Sequence, residues 1–280
     1  MNPYFKADGV TIHHGDALDV LPQLEAQSFD GIITDLPCGT TACSWDTVIP
    51  LKPMWLQVKR LLRPHGAFVT TASQPFTSAL VMSNLEWFRY ETIYKKRRIT
   101  GFLNANRRPL SAHENVVIFC DSETVFNPVY RIGENHKRNR DKRHAQNTDV
   151  YSTFESTGVV MTNEFYPTSV VEFRADKEVT ITLAQRPNKQ KRHPTQKPVA
   201  LYEYLVRTYT DPGDTVLDFV MGSGTTAVAC IRTGRRFVGV EISEEYCKIA
   251  VERIERELAQ PRLFTQATAA VPEPTQAGLF

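Results

Sequence analysis

The sequence has no apolar run approaching the roughly 18 residues of a membrane span. Its start, MNPYFKADGVTIHHGD, has no basic stretch followed by an apolar core, so no secretion signal is expected. The five cysteines, at 38, 43, 120, 230 and 247, are odd in number and show no CxxC spacing. Neither a zinc site nor a disulfide framework is expected, and the thiols read as reduced in a cytosolic protein. GxGxxG is missing, which disfavours NAD, and GxxxxGK[ST] is missing, which rules out a P-loop. There is no internal repeat, and a net charge of +2 favours no partner until its distribution is considered.

What is present is an ordinary globular chain of 280 residues, 41% hydrophobic, long enough for a sizeable core. Strand-like runs alternate with helix-like runs. VTIHH (10–14) and FDGIITD (29–35) flank a turn and helix in GDALDVLPQLEAQ. MWLQVKRLL (54–62) has helical spacing and stops at RPHG. AFVTTA (67–72) reads as a strand and PFTSALVMSNL (75–85) as a helix with proline in its first turn. FRYETIYKK (88–96) and ENVVIFC (114–120) read as neighbouring strands. Residues 122–190 are polar and break the pattern. It returns with the helix PVALYEYLVRTY, the strand TVLDFV (215–220), the helix GTTAVACIRTG (224–234), the strand RFVGVEI (236–242) and the helix SEEYCKIAVERIEREL (243–258), with Ser243 as N-cap. Such alternation predicts an α/β fold, a mainly parallel sheet with helices on both faces. The tail 259–280 reads as disordered.

Two stretches carry chemistry. TVLDFVMGSGTTAVA is a strand, a glycine turn and a helix start. Gly222 and Gly224 permit a sharp turn and close ligand approach, and the helix behind aims its N–H groups there. Glu241 ends the next strand 19 residues beyond Gly222, a spacing suited to ribose hydroxyls. The second stretch, DLPCGTTACSWD (35–46), ends a buried strand on an acid and then turns tightly. An aspartate there either caps the turn or takes part in chemistry.

Together these stretches resemble a known family. DLPCGTT resembles the DPPY motif of amino-group DNA methyltransferases, LDFVMGSGTT resembles their cofactor motif, and HPTQKP (193–198) is similar to the segment preceding the cofactor strand. The order matches the permuted beta group, over roughly residues 10–257. The resemblance implies a Rossmann-like, seven-stranded class I methyltransferase sheet in circularly permuted order, with S-adenosylmethionine as methyl donor and no metal. It divides the chain into a catalytic half (1–121), a target-recognition insertion (122–190, with DNA reading over about 97–190), a cofactor half (191–258) and the tail. Carried over, Asp218, Gly222, Ser223 and Gly224 line the methionine end, with Thr225 as a cap or contact. Glu241 accepts from the ribose, and Asp16 lies near the adenine unless it merely caps the next helix. Thr195, Gln196 and Lys197 close over the amino-acid end.

Asp35 and the Leu36 carbonyl would form two acceptors for an exocyclic amine, whose lone pair is otherwise delocalised into the base. Pro37 stiffens that turn. Cys38 stands where the family has an aromatic that stacks on a flipped base; Trp45 is the nearest substitute stack. Asp at the first motif position is typical of adenine N6, whereas Ser marks cytosine N4. The expected activity is therefore adenine-N6 methylation of double-stranded DNA in a bacterial or phage-infected cell, in the cytoplasm at the nucleoid. The alternatives are a cytosine-N4 enzyme and a weakened DNA binder with this fold.

Across residues 95–144 there are 12 Lys+Arg against 5 Asp+Glu, a local +7, which leaves 2 − 7 = −5 elsewhere. That asymmetry predicts a phosphate-facing surface carried by Lys95, Lys96, Arg97, Arg98, Arg107, Arg108, Lys137, Arg138 and Arg140. In the tail, Gln260–Phe264 and Gln276–Phe280 both fit Q-x-x-L-F, which resembles the peptide by which bacterial proteins dock on the DNA sliding clamp. Related enzymes also dimerise, so a homodimer is a further expected partner.

Overall fold

A computed structural model describes residues 2–39, 46–138, 160–173 and 196–260, with the side chains of 98, 133–138 and 160–162 excepted. The strands are β1 (Phe5–Ala7), β2 (Val10–His14), β3 (Phe29–Asp35), β4 (Leu62–Ala72), β5 (Phe88–Thr100), β6 (Ser111–Phe119), β7 (Arg131–Arg138), β8 (Val160–Phe165), β9 (Val170–Glu172), β10 (Thr215–Asp218) and β11 (Arg236–Glu241). The helices are α1 (Ala17–Val20), α2 (Leu51–Leu61), α3 (Phe76–Ser83), α4 (Val199–Tyr209), α5 (Thr225–Thr233) and α6 (Glu244–Leu258).

Nine strands form the main sheet in the order β1-β2-β11-β10-β3-β4-β6-β5-β9. The run from β2 to β5 is the expected seven-stranded core, and β1 and β9 lengthen its edges. Pairing is parallel from β2 through β11, β10 and β3 to β4. Strand β6 inserts antiparallel between β4 and β5. The central strands read as near-continuous apolar runs because both faces are covered. Neighbouring residues point to opposite layers: Val216, Ile33 and Val69 pack with α4, α5 and α6, while Leu217, Ile32 and Phe68 pack with α1, α2 and α3.

Element ends differ modestly from expectation. Pro75 stands at the N-cap rather than in the first turn of α3, and β5 runs four residues past Lys96 to Thr100. The Ser243 hydroxyl accepts from the Tyr246 N–H at the start of α6. Within residues 122–190, β7 and β8 pair antiparallel as a separate two-stranded sheet, while β9 joins the main sheet beside β5.

Two consequences position the site. Asp35, Asp218 and Glu241 all end parallel strands, so their carboxyls share the carboxyl edge of the sheet, where open α/β folds place ligands. Strand β4 stops at Ala72, paired with Asn115, whereas β6 begins at Ser111, so the β5–β6 arm overshoots that edge by about 13 Å.

Candidate active site

Register sets Asp35 opposite Thr71 on β4. Its carboxyl is partly exposed and accepts from the Thr71 hydroxyl through Oδ1. The Lys197 ammonium donates to Oδ1 at 2.8 Å and to Oδ2 at 2.7 Å. Lys197 also meets Glu114 Oε2 on β6 at 3.1 Å. Burial of this ammonium disfavours its charge, but Asp35 and then Glu114 outweigh that and hold its pKa above the usual lysine range. Lys197 was expected to close over the cofactor's amino-acid end; the structure places its ammonium on the Asp35 carboxylate.

The turn after Asp35 is anchored on both sides. Leu36 is buried, and its N–H points to the Thr70 hydroxyl at 3.4 Å. Gly39, at φ +65°, donates its N–H to Asp46 at 2.8 Å. Cys38 is half-buried. Its thiol packs on the apolar layer of α2 and α3 and donates to the Leu36 carbonyl at 3.4 Å. Burial pushes that thiol up to about 11, so it stays protonated and is a poor nucleophile. The Leu36 carbonyl keeps a second lone pair. Trp45, the suggested substitute stack, lies outside the described residues.

The glycine turn is physically tied to the Asp35 strand. Asp218 is buried, accepts from Thr34 of β3 at 2.7 Å and from Thr226 of α5 at 2.5 Å, and burial pushes its pKa up to about 7. Gly224 sits at φ +76°, and a Cβ there would come within 3.0 Å of the Ala250 Cβ on α6, so glycine is required for both dihedral and space. Glu241 accepts from the Gly222 N–H at 2.9 Å and the Ser243 N–H at 2.8 Å; burial raises its pKa. Thr225 is buried at the start of α5. Gln196 accepts from the Ser223 hydroxyl at 3.4 Å, so the dipeptide Gln196–Lys197 reaches from the glycine turn to Asp35. Asp16 caps α1 through the Leu18 N–H at 2.8 Å, while the neighbouring Gly15 N–H bonds the Glu241 carbonyl and brings the cap to the same edge.

Three contributors were not anticipated. Arg253 of α6 donates to the Ser223 carbonyl and hydroxyl, Glu114 meets Lys197, and Asp46 holds Gly39. Only Asp46 lay inside a motif; the others are long-range contacts with no local signal.

The basic region divides. Lys95 and Arg97 are paired with Glu172 of β9 at 3.0 and 3.4 Å, and Lys96 is paired with Glu114 at 3.3 Å. Each of the three therefore has a carboxylate within ion-pair distance, with Glu172 shared between Lys95 and Arg97. Arg107 and Arg108 stand exposed beyond the arm's tip, beside Phe102 and Leu103, which are 75% and 86% exposed. The side chains of Arg98, Lys137 and Arg138, together with Thr195, Arg140 and both tail pentapeptides beyond Gln260, lie outside the described residues. Among the described residues no His, Cys, Asp or Glu cluster suits a metal ion, and no helix is long and apolar enough to cross a membrane.

A seven-strand core with an antiparallel strand inserted beside its edge, and with carboxyls gathered at a glycine turn and at an Asp-Leu-Pro turn, defines a Rossmann-like methyltransferase of the amino-group kind. The family model described as DNA methylase matches residues 44–252, well over half of the chain, and the chain belongs to that family. The DNA adenine methyltransferase YhdJ of Escherichia coli (strain K12) is 26% identical over 270 residues, covering 90% of this chain and 84% of that protein. Two solved structures share the fold. The cytosine-N4-specific PvuII DNA methyltransferase aligns with a TM-score of 0.61 at 17% identity, over 91% of this chain and 93% of its own. M1.HpyAVI in complex with SAM aligns with a TM-score of 0.54 at 23% identity, over 87% and 99%.

Proposed function

We propose that this DNA methyltransferase methylates the N6 amine of adenine in double-stranded DNA, on a base turned out of the helix. The observation that carries the reading is Asp35 beside the Leu36 carbonyl: two acceptors at one strand end, held by Thr71, Thr70 and Lys197. Two acceptors aimed at an amine localise its lone pair and stabilise the positive charge that grows on nitrogen. Asp35, or a water beside it, takes the amine proton. Aspartate at the head of the motif favours adenine over cytosine, and YhdJ is a relative named for adenine.

The methyl donor is S-adenosylmethionine, which supplies an electrophilic methyl group when bound. The residues suit it: a cationic molecule bearing ribose hydroxyls meets an edge carrying the carboxyls of Asp16, Asp218 and Glu241, beside a turn whose Gly222, at φ +52°, is only half-buried. In this reading Glu241 receives the ribose hydroxyls, Gly222, Ser223, Gly224 and Thr225 cradle the methionine end, and Asp218 keeps that turn in register with β3. Gln196 and Thr195 flank the amino-acid end. Residues 1–121 form the catalytic half, 191–258 the cofactor half, and about 97–190 read DNA.

The test is mass spectrometry of nucleosides from the DNA of cells expressing the protein or its Asp35→Ala variant. N6-methyladenine is expected in the first only, with methyl transfer by the purified variant reduced by about 1000-fold or more. N4-methylcytosine in its place overturns the choice of base.

A further inference from the structure

We propose that Lys197 and Glu114 are positioning residues for methyl transfer, fixing the Asp35 carboxylate so that a single acceptor site is left for the target amine. The inference rests on the reading of Asp35 given above. A carboxylate offers about four acceptor sites and an ammonium three donors. Lys197 spends two donors on the two oxygens of Asp35, at 2.8 and 2.7 Å, and the third on Glu114 at 3.1 Å. The Thr71 hydroxyl takes a further site on Oδ1. One site on Oδ2 remains, and the bridging ammonium stops the carboxylate from rotating away from the Leu36 side.

Glu114 is the other anchor of this bridge. It stands on β6 just beyond the end of β4, and Lys96 holds it from β5 at 3.3 Å. Lys96 in turn donates to Thr100 and Ser111, the last paired residues at the far end of the arm. The charges alternate along Asp35, Lys197, Glu114 and Lys96, so the four sum to zero. With all three of its donors engaged, Lys197 cannot grip a cofactor carboxylate without releasing Asp35 or Glu114. The other titratable groups that feel Asp35 are Cys38 in the turn, Tyr202 on α4 and Asp218 on β10. Asp35, Glu114 and Lys197 lie far apart along the chain, which is why no single motif announces the bridge.

The experiment compares wild type with Lys197→Met, Lys197→Arg and Glu114→Gln. It measures single-turnover methyl transfer between pH 5.5 and 9, S-adenosylmethionine affinity by calorimetry, and thermal unfolding. Lys197→Met should slow transfer by about 100-fold, Glu114→Gln by about 10-fold, and Lys197→Arg should recover part of the loss. Cofactor affinity should stay within about threefold. Transfer within threefold of wild type in the folded variants overturns the inference. So does a loss of cofactor affinity in proportion to rate, which would put Lys197 on the cofactor. If Lys197→Met fails to fold, the near-isosteric Glu114→Gln decides alone. A wild type that methylates no DNA refutes the parent reading, a result distinct from active variants in an active background.

Discussion

At the carboxyl edge, Asp218 and Glu241 each have both oxygens engaged by named donors from the chain itself, Thr34 and Thr226 for one, Gly222 and Ser243 for the other. On the β5–β6 arm, Arg107 and Arg108 stand exposed, while Lys95 and Arg97, a few residues away, are tied to Glu172. Both regions are charged, but one is preorganised and the other is divided between exposed arginines and cations paired with a carboxylate. Preorganised dipoles act at a reaction centre because they need no rearrangement when charge develops. Open cations act on a polyanion because they release its counterions. A count of charge along the sequence cannot separate these uses; a list of partners can.

The largest effect that breaks this comparison is expected at Glu241. Glu241→Ala removes the acceptor proposed for the ribose and also frees the Gly222 and Ser243 N–H groups that shape the glycine turn. S-adenosylmethionine affinity by calorimetry should fall by about 100-fold, since hydrogen bonds to a charged group are the costly ones to lose. DNA affinity should move by less than about twofold. A loss of DNA binding of equal size would mean that the edge and the arm are not separable.

The arm gives an intermediate effect. Arg107→Ala with Arg108→Ala should weaken DNA binding by about 10-fold at moderate salt and reduce the slope of log K against log salt by up to about 2, as expected for two phosphate contacts. Fluorescence anisotropy over a salt series reads both quantities. Unchanged slope with weaker binding would assign the arginines to base edges rather than phosphates.

The same contrast shows which parts of the molecule were legible in advance. Asp35, Gly222, Gly224 and Glu241 were readable because each sits at a strand end or turn whose own few residues dictate the conformation: an apolar strand, then a break. The two-layer core was readable from alternation along strands such as FDGIITD. The partner of Asp35 was not. Lys197 lies 162 residues away, just before α4, and only the assembled edge of the sheet brings it beside Asp35 and Glu114. Arg253 on Ser223 is another contact made by helix packing rather than by local pattern. Cys38 was recognised as standing in an aromatic's place, but its packing against the layer of α2 and α3 has no signal in the motif itself. The basic count in 95–144 was correct as arithmetic, but the pairing of three of its lysines and arginines with Glu172 and Glu114 was invisible to a count.

The smallest effect sharpens the comparison most, because its sign is opposite to that of a damaging mutation. Glu172 sits exposed on β9, and hydrogen bonding and attraction from Lys95, with Arg97 adding to them, hold its carboxyl below the usual range. Glu172→Gln keeps the shape and removes the charge, leaving Lys95 and Arg97 with no carboxylate there. If neutralisation is what keeps this stretch from acting on DNA, the variant should bind DNA about threefold more tightly, with a salt slope steeper by about 1. Lys95→Met in the wild-type background should change binding by less than about twofold, because the ammonium it removes is already engaged by Glu172. In the Glu172→Gln background the same Lys95→Met change should cancel most of the gain. That non-additivity, measured as a double-mutant cycle in anisotropy, separates an ion pair that masks a phosphate contact from one that only staples β9 to β5. Additive effects with no gain from Glu172→Gln would leave the staple as its sole role and confine the phosphate surface of the described arm to Arg107 and Arg108.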